Sequence, residues 1–130
     1  MEIEPTSQNY LDAQWLSIPE GQLAIDVIET PTLLIVRSAI AGIRSEDLEI
    51  TLSEDTLTIR GTRHSDTKPL RGERMHIQEC HWGIFSRSII LPAPVDADHV
   101  EAMFKRGILT ITMKKMQSDH HVPILDLGDL

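Results

Sequence analysis

The sequence has few of the features that disulfide bonding, secretion or membrane insertion would need. Its single cysteine, Cys80, excludes an internal disulfide and is typical of a reducing compartment. No apolar run approaches the roughly 20 residues that cross a bilayer. The N-terminus, MEIEPTSQNY, lacks the basic and apolar regions of a signal peptide. We therefore expect a cytoplasmic protein that has no membrane partner.

Positive charge is also scarce. The 12 Lys and Arg residues are outnumbered by 20 Asp and Glu residues, which gives a formal net charge of −8 with His neutral. This acidic balance favours solubility and argues against a nucleic-acid partner, because the phosphate backbone is itself negative. With 41% apolar and 25% charged residues, the 130-residue chain is expected to form one globular domain.

Sequence patterns for nucleotide binding and covalent catalysis are missing as well. There is no G-x4-G-K-[ST] phosphate loop and no G-x-S-x-G nucleophile elbow. Cys80 and His81 are adjacent, and neighbours on a strand point to opposite faces, so they are a poor nucleophile–base pair. The six histidines form no compact zinc spacing with Cys80. We expect no enzyme, no metal site and no cofactor.

What the sequence does have is an alternation of apolar and polar residues, from Gln22 to about Lys115. Six or seven short segments alternate with period two, without a useful helical period, and predict an antiparallel β-sandwich or barrel. The run Leu33–Val36 is continuously apolar and indicates a strand covered on both faces. Gly61 marks a strand end. The main alternating positions are Leu23, Ile25 and Val27; Leu48, Ile50 and Leu52; Leu57 and Ile59; Phe85, Ile89 and Leu91; Val100, Ala102 and Phe104; and Leu109, Ile111 and Met113.

Two segments do not fit a simple series of hairpins. The polar stretch TRHSDTKPLRGE, residues 62–73, is long for a connection and is followed by the β-capable piece Met75-His76-Ile77. Beyond the last strand, the polar tail contains the apolar group Val122-Pro123-Ile124. In an extended segment, Val122 and Ile124 project from the same side, and Pro123 stiffens the backbone between them.

Several motifs in register resemble the small heat-shock proteins of the bacterial and plant type. ECHWGIFSRSIILP, residues 79–92, resembles the E-x-x-x-G-x-F-x-R-x-x-x-L-P stretch of their α-crystallin domain, and AMFKRGIL, residues 102–109, resembles their A-x-x-x-n-G-[VI]-L signature. Val122-Pro123-Ile124 fits their C-terminal I-x-I/V element. The resemblance implies an immunoglobulin-like β-sandwich over residues 22–115, preceded by a short arm over 1–21 and followed by a flexible tail over 116–130.

The chain departs from the family pattern at three places. Ala41-Gly42 replaces the usual Pro-Gly, and Arg106 stands where Asn is common before Gly107, so the turn is expected to be strained. The arm is short for the family, in which it supplies much of the assembly and client capture, so the resemblance implies weaker assembly into large oligomers and weaker client capture here. Its apolar residues Leu11, Trp15, Leu16 and Ile18 are candidate client-binding residues, with docking onto their own domain as the alternative.

The resemblance also implies roles for individual residues. Phe85, Arg87, Ala102, Gly107 and Leu109 are its structural signature, with Ala102 as a packing residue. Arg87 shares an apolar strand face with Phe85, so we expect it to pair with a carboxylate at an interface or sheet edge. The tail-binding groove is implied at Leu48, Ile50, Leu52, Val100 and Phe104, which are also core candidates. In the implied dimer, Met75, His76 and Ile77 pair with the first strand of a partner subunit, at Leu23, Ile25 and Val27.

The function implied by the resemblance is that of an ATP-independent holdase chaperone. It would bind partly unfolded proteins through apolar surface and would form homodimers or larger homo-oligomers. Val122, Pro123 and Ile124 would anchor the tail to the groove of a neighbour, or fold back onto their own subunit. The alternative is an adaptor resembling the CS-domain co-chaperones, which share the sandwich and lack both the exchanged loop and the tail motif.

Overall fold

The computed structural model describes residues 20–116 and 121–128 of the chain. No helix in these residues is long and apolar enough to cross a membrane. The candidate client-binding residues Leu11, Trp15, Leu16 and Ile18 lie outside the described residues. The strands are β1 (Gly21–Gln22), β2 (Asp26–Glu29), β3 (Leu33–Ala39), β4 (Leu48–Ser53), β5 (Thr56–Arg63), β6 (Gly83–Ile90), β7 (Val95–Lys105) and β8 (Ile108–Lys115), with a 3-10 turn at Ser45–Asp47.

The strands form two four-stranded sheets that pack face to face as a sandwich. One sheet has the order β1-β6-β5-β4 and the other the order β2-β3-β8-β7. Every neighbouring pair is antiparallel except β1 and β6, which are parallel over two residue pairs. The all-β architecture predicted from the period-two pattern is confirmed, and of the two alternatives, sandwich or barrel, the structure is a sandwich.

The core lies between the sheets and consists of alternate residues of the inner strands. On β3, Leu34 and Val36 face the core and are fully buried. Leu33 and Ile35 lie on the opposite face of β3 and are only half-buried, so the expectation of full cover on both faces is wrong for the single chain. The buried apolar side chains are Leu23, Leu34, Val36, Ile40, Leu57, Ile59, Phe85, Leu91, Leu109, Ile111 and Met113.

Gly61 lies inside β5, whereas the sequence suggested that it ends a strand. It is paired with Phe85 across β5 and β6. A Cβ atom on Gly61 would lie 2.6 Å from Cζ of Phe85 and 2.7 Å from the carbonyl oxygen of Asp47. The missing side chain therefore makes room for the buried Phe85 ring, and the strand continues to Arg63.

The first predicted strand is in fact two strands that belong to different sheets. β1 ends at Gln22 in one sheet and β2 begins at Asp26 in the other, so the three residues between them cross the edge of the sandwich. Consequently Leu23 is buried, Ile25 is half-buried and Val27 is exposed at the edge strand β2. Period two alone cannot reveal this crossover, because the side-chain alternation continues through it.

The crossover is held by one side chain from each sheet. Arg87 of β6 donates from its guanidinium to the carbonyl oxygen of Leu23 over 2.9 Å. Ser38 of β3, a buried polar residue, donates from its hydroxyl to the carbonyl oxygen of Ala24, also over 2.9 Å. Among the described residues, the partner of Arg87 is therefore a main-chain carbonyl, and the expected carboxylate partner is not found within the chain.

The crossover also fixes which sheet edges lie together. A link of three residues spans roughly 10 Å, about the distance between packed sheets, so β1 and β2 must lie on the same side of the sandwich. The other two edge strands, β4 and β7, then lie together on the opposite side. Each side of the sandwich thus presents two strand edges.

The turn between β7 and β8 contains the backbone strain expected from the sequence. Arg106 has φ of 53° and Gly107 has φ of 77°, so both central residues of this two-residue hairpin turn are left-handed. Glycine adopts this conformation readily, whereas a long side chain such as that of arginine does so at a cost.

We predict that Arg106→Asn raises the free energy of unfolding by about 1 kcal/mol, because asparagine tolerates the left-handed conformation better. Urea denaturation followed by circular dichroism measures the change. Lys105→Asn is the matched control, since Lys105 is an exposed cation on β7 outside the turn and should gain no stability. A free energy that is unchanged in Arg106→Asn would contradict the strain.

Candidate functional site

The side of the sandwich formed by β4 and β7 carries the residues predicted to form the tail-binding groove. On β4, Leu48, Ile50 and Leu52 pair with Gly61, Ile59 and Leu57, so their side chains face inward. On β7, Val100 and Phe104 pair with Met113 and Leu109 and also face inward. All five are half-buried and pack on the core from its open edge. We call Leu48, Ile50, Leu52, Val100 and Phe104 the groove.

One end of the groove, which we call the turn end, is defined by Leu48 and Phe104. The backbone N–H of Ile40 donates to the carbonyl oxygen of Gly107, just after Phe104, over 2.6 Å. Arg63 donates from Nε to the carbonyl oxygen of Ala41 over 2.7 Å. Arg63 is the last residue of β5, and this end of β5 pairs with the start of β4, where Leu48 lies. The two contacts therefore bring the β7–β8 turn and Leu48 to the same end of the groove.

The opposite end, which we call the hairpin end, is defined by Leu52 and Val100. Leu52 lies next to the β4–β5 turn, where the carbonyl oxygen of Asp55 accepts the N–H of Leu91 over 2.7 Å. From Leu91 the chain needs only a short link to reach Val95, the first residue of β7. β4 and β7 therefore run in opposite directions along the groove, and their side chains form rows of equal spacing.

Ala102 lies in the middle of β7 between Val100 and Phe104, and it is exposed rather than packed. The expectation that it is a small packing residue is therefore wrong for the single chain. Its partner across the strands is the buried Ile111, so the Ala102 methyl group faces the interior at the open edge. A small side chain at this point leaves the middle of the groove open.

Strand β7 has an irregularity near the hairpin end of the groove. Its pairing with β8 shifts register between Val95 and Val100. Asp96 accepts the backbone N–H of Asp98 over 3.0 Å and contacts Nδ1 of His99 at 2.7 Å. The Asp98 N–H, and then the His99 ring, hold the pKa of Asp96 below its ordinary value. The bulge ends the regular edge of β7 and leaves Val100 as the first residue of the groove.

A second unpaired edge lies on the opposite side of the sandwich, at β2. Val27 on this edge strand is 42% exposed. The residues predicted to pair with it from a partner subunit, Met75, His76 and Ile77, form no strand in the single chain. They lie in the long connection between β5 and β6, where Met75 is 66% and Ile77 is 74% exposed.

The tail motif is uncovered in the single chain. Val122 is 76% and Ile124 is 93% exposed, and Pro123 between them is exposed as well. The tail is therefore not folded back onto its own groove in this structure. Leu125 and Leu127, which would project from the opposite side of an extended segment, are also exposed. Gly128 has a left-handed backbone, with φ of 70°.

The remaining signature residues are structural. Phe85 and Leu109 are buried in the core, and Gly107 occupies the left-handed turn position. The sequence gave no role to Arg63, yet its guanidinium also donates to the carbonyl oxygen of His81 over 3.1 Å and lies 5.3 Å from the centre of the Phe85 ring. In the sequence Arg63 stands in the polar stretch after Gly61, and its local pattern does not signal this role.

His81 fixes the start of the domain, which the sequence also did not reveal. Its Nε2 atom lies 3.1 Å from the N–H of Gly21 and 2.6 Å from the carbonyl oxygen of Ile84. One ring nitrogen cannot accept and donate at the same time, so these two contacts are alternatives. The ring lies so close that a Cβ atom on Gly21 would be 2.5 Å from it.

The residues that could carry catalytic or metal chemistry are scattered. Among residues 20–116 and 121–128, no group of three or more His, Cys, Asp and Glu side chains could hold a metal ion. Cys80 is exposed in the loop before β6 and forms no disulfide. The arrangement that the structure does offer is apolar: a groove, an unpaired strand edge, a loop and a tail.

Comparison with known proteins agrees with this geometry. The profile of the Hsp20/alpha crystallin family matches residues 21–124. Spore protein SP21 of Stigmatella aurantiaca is 36% identical over 92 residues, which are 71% of this chain and 54% of the relative. Heat shock protein 16 of Schizosaccharomyces pombe is 35% identical over 100 residues, which are 75% of this chain and 70% of the relative.

Solved structures give the same result. Heat shock protein 16.0 from Schizosaccharomyces pombe has a TM-score of 0.69 at 30% identity, covering 84% of this chain and all of that one. A small heat-shock protein from Xylella fastidiosa has a TM-score of 0.66 at 25% identity, covering 82% of this chain and 96% of that one. The matched regions of the first curated relatives are 54%, 59% and 56% of their lengths, so the chain spans little more than half of them.

Proposed function

The chain belongs to the Hsp20/alpha crystallin family, whose members are non-enzymatic chaperones, and we propose that it is an ATP-independent holdase. In this role it binds partly unfolded proteins in the cytoplasm and keeps them from aggregating. The observation that carries the proposal is the uncovered apolar surface of the single chain: the half-buried groove together with the exposed side chains of the tail and the loop.

The physical basis of the activity is apolar surface that subunit contacts cover at rest and release when they loosen. Exposed apolar patches of this kind mark interaction surfaces in soluble proteins. The groove and the arm residues Leu11, Trp15, Leu16 and Ile18 are the proposed client surfaces, and for the arm this rests on its sequence alone. The formal net charge of −8 disperses client complexes through mutual repulsion.

The dimer forms, in this proposal, through exchange of the loop strand. Met75, His76 and Ile77 of one subunit pair with the free edge of β2 in the other, beside Val27. Of the other two positions expected from the sequence, Leu23 is buried and Ile25 is half-buried in the crossover before β2, so the pairing is centred on Asp26–Glu29. Two features support this pairing: β2 is an edge strand with unsatisfied main-chain groups, and the loop residues are exposed in the single chain. Reciprocal exchange closes a two-fold dimer.

Larger assemblies form when the tail of one dimer enters the groove of another. Val122 and Ile124 are two residues apart, as are Leu48, Ile50 and Leu52, so both sets of side chains repeat at roughly 7 Å in extended chains. Burying one such side chain contributes roughly 1.5–3 kcal/mol, and association costs at least about 4 kcal/mol. A single tail contact is therefore weak, and each dimer gains from presenting two tails.

The holdase proposal is tested by aggregation of a heat-labile client enzyme. We expect the full chain, without nucleotide, to suppress light scattering of the heated client at equimolar or lower concentration. A globular protein without chaperone activity, added at the same mass, is the control. No suppression even at excess protein would overturn the proposal and would leave a CS-domain-like adaptor as the better hypothesis.

For the tail, we predict that Val122→Gly combined with Ile124→Gly converts larger oligomers into free dimers, because the groove loses both side chains that fill it. Size-exclusion chromatography with light scattering measures the mass. Leu125→Gly combined with Leu127→Gly is the matched control, since these residues project from the other side and should leave the mass unchanged. Oligomers of unchanged mass in the first variant would rule out tail docking.

For the loop, we predict that deletion of residues 67–77 yields monomers, as does Met75→Asp combined with Ile77→Asp in the intact loop. Charged side chains at these positions cannot be buried against β2 of a partner. Leu70→Asp, an equally exposed apolar position outside the exchanged strand, should remain dimeric. If both the deletion and the double variant sediment as folded dimers, strand exchange is not the basis of the dimer.

A further inference from the structure

The groove has charges of opposite sign at its two ends, and we propose that these charges fix the direction in which the tail lies. Asp126 would lie at the turn end, near Lys105 and Arg106, and His121 at the hairpin end, near Glu54 and Asp98. This inference rests on the tail docking proposed above and adds to it a polarity and the residues that determine it.

At the turn end of the groove, the charged side chains that a ligand can reach are basic. Lys105 and Arg106 directly follow the groove residue Phe104, both are exposed, and neither forms an ion pair among the described residues. The acidic residues at this end already have partners. Glu46 is 3.4 Å from the guanidinium of Arg44, and Asp47 accepts the N–H of Arg44 and lies 3.8 Å from His64. The charge without an ion-pair partner at the turn end is therefore positive.

The hairpin end is acidic. Glu54 and Asp55 form the turn directly after β4, next to the groove residue Leu52, and both are exposed. Asp98 lies in the bulge two residues before Val100 and is exposed too. Two lysines lie nearby. Lys115 forms an ion pair with Glu29 at 2.7 Å, so among the described residues Lys114 is the one cation at this end without an ion pair.

The tail carries one negative charge, that of Asp126, beyond its second anchor. His121 immediately precedes Val122, and Asp126 follows Ile124 by two residues, so that Asp126 extends roughly 7 Å beyond the second anchor on the same side. One carboxylate oxygen of Asp126 accepts the N–H of Gly128 over 2.9 Å, and the other remains available for a cation. In the reverse direction, Asp126 would face Glu54 and Asp98, which repel it.

The test uses a synthetic peptide of residues 117–130 and, as receptor, the full chain with Val122→Gly and Ile124→Gly, whose own tail cannot compete. We expect Asp126→Lys in the peptide to weaken binding about 3- to 10-fold at low salt, because an attraction becomes a repulsion. Adding Lys105→Glu and Arg106→Glu to the receptor should restore the affinity of the Asp126→Lys peptide. Arg37→Glu, which changes the same kind of charge on β3 beside the opposite edge strand β2, should not.

A second measurement reports the direction without altering the groove. A nitroxide at the C-terminus of the peptide should broaden the amide signal of Gly107 at the turn end and leave that of Thr56, at the hairpin end, sharp. If the peptide binds but Thr56 broadens instead, or the charge reversal restores nothing, the polarity is wrong while tail docking stands. If the unchanged peptide does not bind at all, tail docking itself is overturned, and the polarity falls with it.

Discussion

The arrangement of the whole sandwich depends on how three residues cross from one sheet to the other. The segment between Gln22 and Asp26 has no strand partner of its own, so its carbonyl groups need other donors. Arg87 and Ser38 supply them from opposite sheets. Because the crossover is short and fixed, β1 and β2 are held together on one side, and β4 and β7 are left together on the other.

This division gives the domain two open sides with different chemistry. At β2 the exposed groups are main-chain donors and acceptors, which a partner strand can satisfy with little dependence on sequence. At β4 and β7 the available surface is a set of apolar side chains in rows, which in the proposed docking would select a ligand by its spacing and by the charges at its ends. A chain with both sides can form two kinds of contact at once without competition between them.

The sequence predicted the all-β architecture, the core faces and the strained turn correctly, because each follows from local alternation or from a residue's backbone preference. The choice of a sandwich over a barrel came from the family resemblance. It failed where tertiary contacts decide. The alternation of Leu23, Ile25 and Val27 continues through a change of sheet, and Gly61, which looks like a strand end in the sequence, lies inside β5 against Phe85. The groove and the exchanged strand came from family resemblance, since half-buried edge residues and core residues have the same pattern in sequence.

Strand β1 determines how the domain responds to a force on the N-terminal arm. It is only two residues long. The contact between the Gly21 N–H and Nε2 of His81 adds little, because the same nitrogen can instead contact the carbonyl oxygen of Ile84. Such an element opens at far lower free energy than the core. Detachment would then stop at Leu23, where a buried side chain meets the Arg87 contact. Tension on the arm should therefore release β1 first and lengthen the tether by a few residues before the load reaches Leu23.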